Sequence, residues 1–354
     1  MSRVSEMAKV VAVQAYRWLQ DNSTETGPFG ATPEQVDLSE KIARLVQLVV
    51  IISLLTYMTG VGMALDIERF KQAWKTPTPA LVGLFCQIVI NPFMIIGLIS
   101  ALGSDFNVET KVMALLIAAS PGGNGSALLT YLAYGHLETS IAMTLVSTVL
   151  AFGTLPLFVY LGTKVFFPEA AGLDINFIAV VGATASASLP PLFGIWLQGK
   201  LTEKNRERVK NWGIGLGIFF TFMAAALTIL DPVFRLGIQT LGREVVVMAV
   251  VFNAAALAMG YAVAYVFCLR RNERRTVSFE VAVQNLSIPL AVVNLSFGSG
   301  GQAALFTPFL GVYIVTGGIL NYSCMLVWRY IFPIERLEDD AKLDTSNAVT
   351  ILEA

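Results

Sequence analysis

The chain has 354 residues, 55% of them hydrophobic and 14% charged, against a charged share of about 25% in soluble domains, and this excludes a soluble globule. Its formal net charge of −1 leaves no strongly basic or acidic face, so nucleic acid is excluded as a partner. The apolar residues gather into stretches of about 20, the length that crosses a hydrocarbon core of about 30 Å, and an all-α polytopic membrane protein is expected.

Residues 1–41 are mixed in character, with an amphipathic piece from Val4 to Leu19 and then a Gly/Pro/Ser/Thr-rich stretch, and read as an extracellular N-terminal tail without a signal-peptide core. Asn22-Ser23-Thr24 in that tail is an N-glycosylation sequon, which fits a glycoprotein as well as an unmodified linker. Nine spans follow, at 42–65, 79–102, 111–134, 138–162, 174–197, 212–231, 244–268, 277–298 and 303–332, so residues 42–332 form the transmembrane domain. The segment 333–354 carries Glu335, Glu338, Asp339, Asp340 and Asp344 and reads as a solvated cytosolic acidic tail.

Basic residues set the orientation. With the N-terminus outside, the cytosolic loops hold Arg69, Lys71 and Lys75, then Lys200, Lys204, Arg206, Arg208 and Lys210, then Arg270, Arg271, Arg274 and Arg275. The outer loops between spans hold only Lys111, Lys164, Arg235 and Arg243; Lys41 and Arg44 beside the first span run against the rule. Cys86, Cys268 and Cys324 fall within or at the edge of spans, with no spacing for a zinc site or a disulfide framework, and read as packing residues. His136, the only histidine, sits in a short loop, so no histidine-based catalytic or metal cluster can assemble and an enzyme is not expected.

Two of the spans are interrupted. In 277–298, Glu280 and Gln284 are four residues apart on one helical face, followed by Asn285, Ser287 and Pro289. A carboxylate at bilayer depth is rarely kept without a partner or a water-filled cavity. Pro289 lacks an amide hydrogen and is expected to break the helix a turn earlier, freeing carbonyls near Asn285 and Leu286. Carboxylate, amide oxygen and freed carbonyls suit a dehydrated hard cation. The alternative is that Glu280 lies near the inner surface, paired with Arg274 or Arg275 in a purely structural role.

In 111–134 the string Ser120-Pro121-Gly122-Gly123-Asn124-Gly125-Ser126 cannot stay helical in lipid, and a half-helix is expected to begin near Ser126. Its free amide hydrogens and positive end suit an anion, in the company of Asn124, Ser126 and Thr130. A simple packing kink is the competing reading. Interrupted segments in corresponding positions of two halves are the mark of a transporter built from inverted repeats, here about 42–162 and 174–332, with one half short of a span.

These residues resemble the bile acid:sodium symporters, and more closely their animal-type, nine-span branch. The matching strings are Gly83-Leu84-Phe85-Cys86-Gln87 with Asn91-Pro92, then Ser120-Pro121-Gly122-Gly123-Asn124 with Ser140 to Thr144 and Ser147-Thr148, then Glu280-Val281 with Gln284-Asn285. The resemblance implies panel and core domains, two sodium ions behind the crossing helices and an amphipathic organic anion beside them. Carried over by position, the first ion's ligands are Ser126, Ser140, Thr144 and Glu280. The second ion's are Gln87, Glu280, Gln284 and the main-chain oxygens of Val281 and Val283. Asn124, Ser126 and Asn285 face the substrate. The family has an asparagine where this chain has Ala127, so a first-site ligand is missing and either one or two sodium ions remain open.

The function expected is sodium-coupled symport of organic anions such as bile acids, sulfated steroids or small carboxylates by alternating access, in a multi-pass protein of the plasma membrane with its C-terminus in the cytosol. A proton-coupled or sodium-independent carrier, and a non-transporting ligand-binding receptor on the same scaffold, are the alternatives. Lipid is the other expected partner, and a homodimer is compatible with the sequence.

Overall fold

A computed structural model of the chain describes residues 28–64, 71, 75, 77–102, 106–123, 125–173, 175–297 and 301–333. The amphipathic Val4 to Leu19 piece, the Asn22 sequon, Asn124 and the acidic tail from residue 334 lie outside the described residues. Among the described residues the regular structure is helical, and a single antiparallel bridge joins Gly122 to Gln284.

In chain order the helices are α1 (Pro33–Ala64), α2 (Thr78–Leu102), α3 (Val108–Ala119), α4 (Ser126–Leu132), α5 (Leu137–Leu161), α6 (Phe177–Gln198) and α7 (Glu203–Leu230). They continue with α8 (Pro232–Thr240), α9 (Arg243–Val266), α10 (Arg271–Ala282), α11 (Ser287–Phe297), α12 (Gly301–Ala304) and α13 (Thr307–Leu326). Seven of them, α1, α2, α5, α6, α7, α9 and α13, are long and apolar enough to cross a membrane. The two interrupted segments are the pairs α3 with α4 and α10 with α11, each member too short to cross alone. The fold is that of an all-α polytopic membrane protein.

Several boundaries differ from those expected, for local reasons. α1 begins at Pro33, so residues 33–41 are its first turns rather than tail; proline suits a first turn, where its missing amide hydrogen has no partner to lose. α7 begins at Glu203 rather than 212, because Glu203 with Arg206 and Glu207 with Lys210 form ion pairs at i,i+3 spacing that support a polar helical start. The short helix α8 lies where only a loop was expected. Asp231 starts it by accepting from the amides of Val233 at 2.8 Å and Phe234 at 3.2 Å, ahead of Pro232 in the first turn.

α1 packs along α7 and α6, close enough for Ser53 Oγ to donate to the Gly217 carbonyl at 2.8 Å. Large apolar side chains point outward from these helices: Phe222 is 72% exposed and Trp212 65%. Such a surface in water would drive association, and in lipid it is the solvated face. The polar side chains take the reverse position. Gln87, Ser126, Ser140, Thr144, Glu280, Gln284 and Asn285 are all buried, and they gather around the Gly122–Gln284 bridge.

Candidate cation and anion site at the helix crossing

The site starts from two backbone breaks. α3 ends at Ala119, where Ser120 turns extended, and α4 starts at Ser126. α10 ends at Ala282, and Val283 is extended before α11 begins at Ser287. Unwound backbone inside a bilayer must find partners. The two breaks supply each other's: Gly123 N donates to Val283 O at 2.8 Å and Asn285 N donates to Pro121 O at 2.9 Å. Gly122 N is held separately by Ser147 Oγ at 3.1 Å. The first interruption is therefore an unwound crossing and not a packing kink.

The second break falls at 283–286, a turn ahead of Pro289 as expected, and only the fate of the Leu286 carbonyl differs. Pro289 sits in the first turn of α11, and the Leu286 carbonyl is taken by Leu290 N at 3.4 Å rather than freed. Of the carbonyls around the break, Ala282 O accepts from Tyr313 Oη at 3.2 Å, and Val281 O accepts from Asn91 Nδ2 at 2.8 Å and Gln284 Nε2 at 2.6 Å.

Glu280 lies at the centre with 0% of its surface exposed. Ser140 Oγ donates to its Oε1, and Thr144 Oγ1 donates to its Oε2 at 3.0 Å. Ser126 Oγ, which donates to Gly123 O at 2.9 Å, lies beside the same carboxylate. Among the described residues no cation pairs with Glu280: Arg274 donates to Leu269 O at 2.6 Å, and Arg275 donates to Ala133 O at 2.7 Å and to Phe332 O. The expected alternative of a surface ion pair is thereby overturned.

Gln87 is brought to the same place by a π-helical turn, Cys86–Ile90, within α2. A Cβ built on Gly122 would stand 2.9 Å from Glu280 Oε2, 3.2 Å from Thr144 Oγ1 and 3.4 Å from Gln87 Nε2, so these three groups surround one small backbone cavity. Both side-chain polar atoms of Gln87, and Oε1 of Gln284, are buried without a hydrogen-bond partner. Orphaned buried oxygens are costly, and the Oε1 atoms of Gln87 and Gln284 near the Glu280 carboxylate could hold a hard cation.

On the other side of the crossing, Asn285 Oδ1 accepts from Ser287 N at 3.1 Å, while its Nδ2 is buried without a partner. Thr130 Oγ1 is likewise buried and unpartnered. Asn285 Nδ2 sits beside the main-chain pairing of the two breaks, whereas Thr130 lies at the other end of α4, next to Gly135 and Thr276. Val283 O is held by Gly123 N and Val281 O by two amide donors, so both main-chain oxygens assigned by resemblance already accept hydrogen bonds. Asn91, Ser147 and Tyr313 were not singled out as site residues. The Asn91-Pro92 and Ser147-Thr148 strings that carry the family resemblance are the sequence signals for Asn91 and Ser147.

The fold and this buried, cation-deficient carboxylate between two broken helices define a polytopic membrane transporter. The sodium bile acid symporter family model matches residues 51–235, just over half of the chain, and the chain belongs to that family. It is similar to the ileal sodium/bile acid cotransporter of Homo sapiens, 25% identical over 287 residues covering 81% of this chain and 80% of that protein. Sodium/bile acid cotransporter 4 of Mus musculus is 28% identical over 242 residues, covering 68% of this chain and 54% of that protein. The P3 protein of Homo sapiens is 27% identical over 281 residues, covering 77% and 55% respectively.

Proposed function

We propose that this chain is a sodium-coupled symporter that carries organic anions such as bile acids, sulfated steroids or small carboxylates across the plasma membrane by alternating access. The observation that carries the reading is Glu280, fully buried and without a cation partner among the described residues, beside the unpartnered oxygens of Gln87 and Gln284. Sodium, as cargo, binds there through Glu280, Gln87 and Gln284, with Ser126, Ser140 and Thr144 as the hydroxyl ligands of a first ion. The hydroxyls keep lone pairs for a cation while donating to Glu280 or to Gly123 O. Recruiting Val281 O requires the Gln284 amide to turn away from it, and recruiting Val283 O requires a shared acceptor with Gly123 N.

The substrate's anionic group is met by Asn285 Nδ2, with Asn124 and Ser126 on the facing segment. Sodium neutralises Glu280 and tightens the crossing, so cation and substrate raise each other's affinity by the same factor. One sodium with a monovalent anion is electroneutral; a second ion adds a charge worth about 2.3 kcal/mol per 100 mV. The proposed topology is nine crossings in inverted repeats, about 42–162 and 174–332, with panel and core domains. The N-terminal tail, with the Asn22 acceptor, lies outside and the acidic tail in the cytosol.

The test is uptake of a labelled bile acid or sulfated steroid into proteoliposomes as external sodium is varied, for wild type, Glu280→Gln and Ala127→Asn. Uptake that depends on sodium, is lost in Glu280→Gln and grows steeper in sodium in Ala127→Asn supports the reading. Uptake that persists without sodium and rises at acid pH points to proton coupling through Glu280, and ligand binding without uptake points to a receptor.

A further inference from the structure

The cation-site carboxylate and its hydroxyls sit on two different helices, and something must fix their relative height. α5 and α10 run in parallel, and their contacts keep one offset: Glu280 meets Ser140 and Thr276 meets His136, both 140 residues apart. One turn before the Glu280 to Ser140 bond, the His136 amide donates to Thr276 Oγ1 at 2.7 Å. The Thr276 hydroxyl returns its own hydrogen to Asn272 O at 3.0 Å within α10. A Cβ on Gly135 would stand 2.8 Å from Thr276 Oγ1, so only glycine admits this approach.

Two arginines bind at the level of the His136–Thr276 bond. Arg275, the residue before Thr276, donates to Ala133 O at 2.7 Å and to Phe332 O, and stacks 5.7 Å from the Trp328 ring. Arg329 donates to Leu132 O at 2.8 Å and lies 5.0 Å from the Tyr134 ring. Leu132 and Ala133 are the carboxyl end of α4, the half-helix that begins at Ser126. Cations at that end complement the helix dipole and satisfy carbonyls the helix leaves open. Residues 132–136, the start of α10 and the end of the last span are thereby joined at one level, on the side away from the crossing.

We infer that Thr276, with Arg275 and Arg329, is a positioning residue for sodium: it sets the register of α10 against α5 and α4, so that Glu280 stands opposite Ser140, Thr144 and Ser126. This rests on the proposed cation site. A slip of one residue moves a helical side chain by 1.5 Å along the axis and by about 100° around it, which separates Glu280 from both hydroxyls. Neither Thr276 nor the arginines touch the site, so their effect runs through helix position alone.

The test uses the purified full chain in lipid nanodiscs, with radiolabelled sodium as the probe and thermal unfolding in sodium-free buffer as a second readout. Thr276→Val keeps the shape and removes the acceptor for His136 N. The half-saturating sodium concentration is expected to rise about tenfold, the scale of one lost hydrogen bond. Thr276→Ser restores the acceptor and is expected to return the wild-type value. Arg329→Lys keeps the charge but loses the planar fork, and a smaller rise is expected. A lower melting temperature with unchanged half-saturation in Thr276→Val overturns the inference, because the tie is then only structural. If wild type binds no sodium, the cation site falls and the inference with it; if wild type binds and Glu280→Gln does not, the cation site stands whatever Thr276→Val shows.

Discussion

Gly123 and Val283 lie in different halves of the chain, yet the amide of the first donates to the carbonyl of the second at 2.8 Å. A Cβ on Gly123 would stand 2.4 Å from the Gln284 carbonyl oxygen and 2.7 Å from its carbon, both of them backbone atoms that cannot swing aside. Gly123→Ala is therefore expected to destabilise the fold by about 1–3 kcal/mol through overpacking and to abolish uptake. Gly97→Ala, with nothing within 4 Å of the added methyl, is the control and is expected to be neutral in both thermal unfolding and transport.

Gln87 is the opposite case, a residue whose loss the fold should tolerate. Both of its polar side-chain atoms are buried without a partner, so Gln87→Leu removes a desolvated amide at little structural cost. The melting temperature in sodium-free buffer is expected to hold or rise slightly, while sodium affinity measured by isotope binding falls by about tenfold or more. A fall in stability with sodium binding unchanged would show Gln87 to be a packing residue.

Away from the membrane core, the Lys111 amine stands 2.8 Å from Glu169, and its hydrogen bond holds that carboxyl below the usual carboxylate range. A carboxyl whose folded-state pKa is depressed stabilises the protein above its unfolded value, about 4.3, and loses that contribution as pH falls through the folded one. The pair is partly exposed, so the effect is expected to stay under about 1 kcal/mol. Glu169→Gln is expected to flatten the corresponding acid limb in thermal unfolding measured from pH 6 downward, leaving sodium binding near neutral pH as in wild type.

Helix α8 contacts α13 so closely that a Cβ on Gly237 would lie 2.6 Å from Pro308 Cγ. The Pro308 Cβ is one carbon–carbon bond further on and no nearer than the Phe29 Cζ at 3.3 Å, so cysteines at the two positions match the Cβ separation of about 3.5–4.5 Å that a disulfide spans. If alternating access parts α8 from α13, the double variant Gly237→Cys, Pro308→Cys is expected to lose uptake under oxidant and recover it under reductant. Full uptake by the cross-linked protein would mean that these two helices move together.

The membrane class and the two breaks were legible in the sequence because each rests on a local rule. Long apolar runs must cross, and a run containing Ser120-Pro121-Gly122-Gly123 cannot stay helical there. Glu280 stood out for the same kind of reason, a charge where charges are expensive. What stayed hidden depends on geometry between distant residues. The π-helical turn that swings Gln87 inward has no composition signal of its own, and the shared offset of the Thr276 and Glu280 contacts appears only once α5 and α10 are side by side. Pro289 marks the second break to within a turn, but not which carbonyls it leaves open: Leu286 O is taken by Leu290 N, a pairing that depends on where α11 starts.

The two broken segments hold each other through main-chain groups, Gly123 N to Val283 O and Asn285 N to Pro121 O. Those bonds are indifferent to the identity of side chains around them, provided the glycines stay small. Residues that look into the substrate space from the crossing can then be exchanged one at a time without dismantling it. A joint of this kind tolerates drift in the side chains around it, so the two glycines rather than the polar residues are what it cannot exchange.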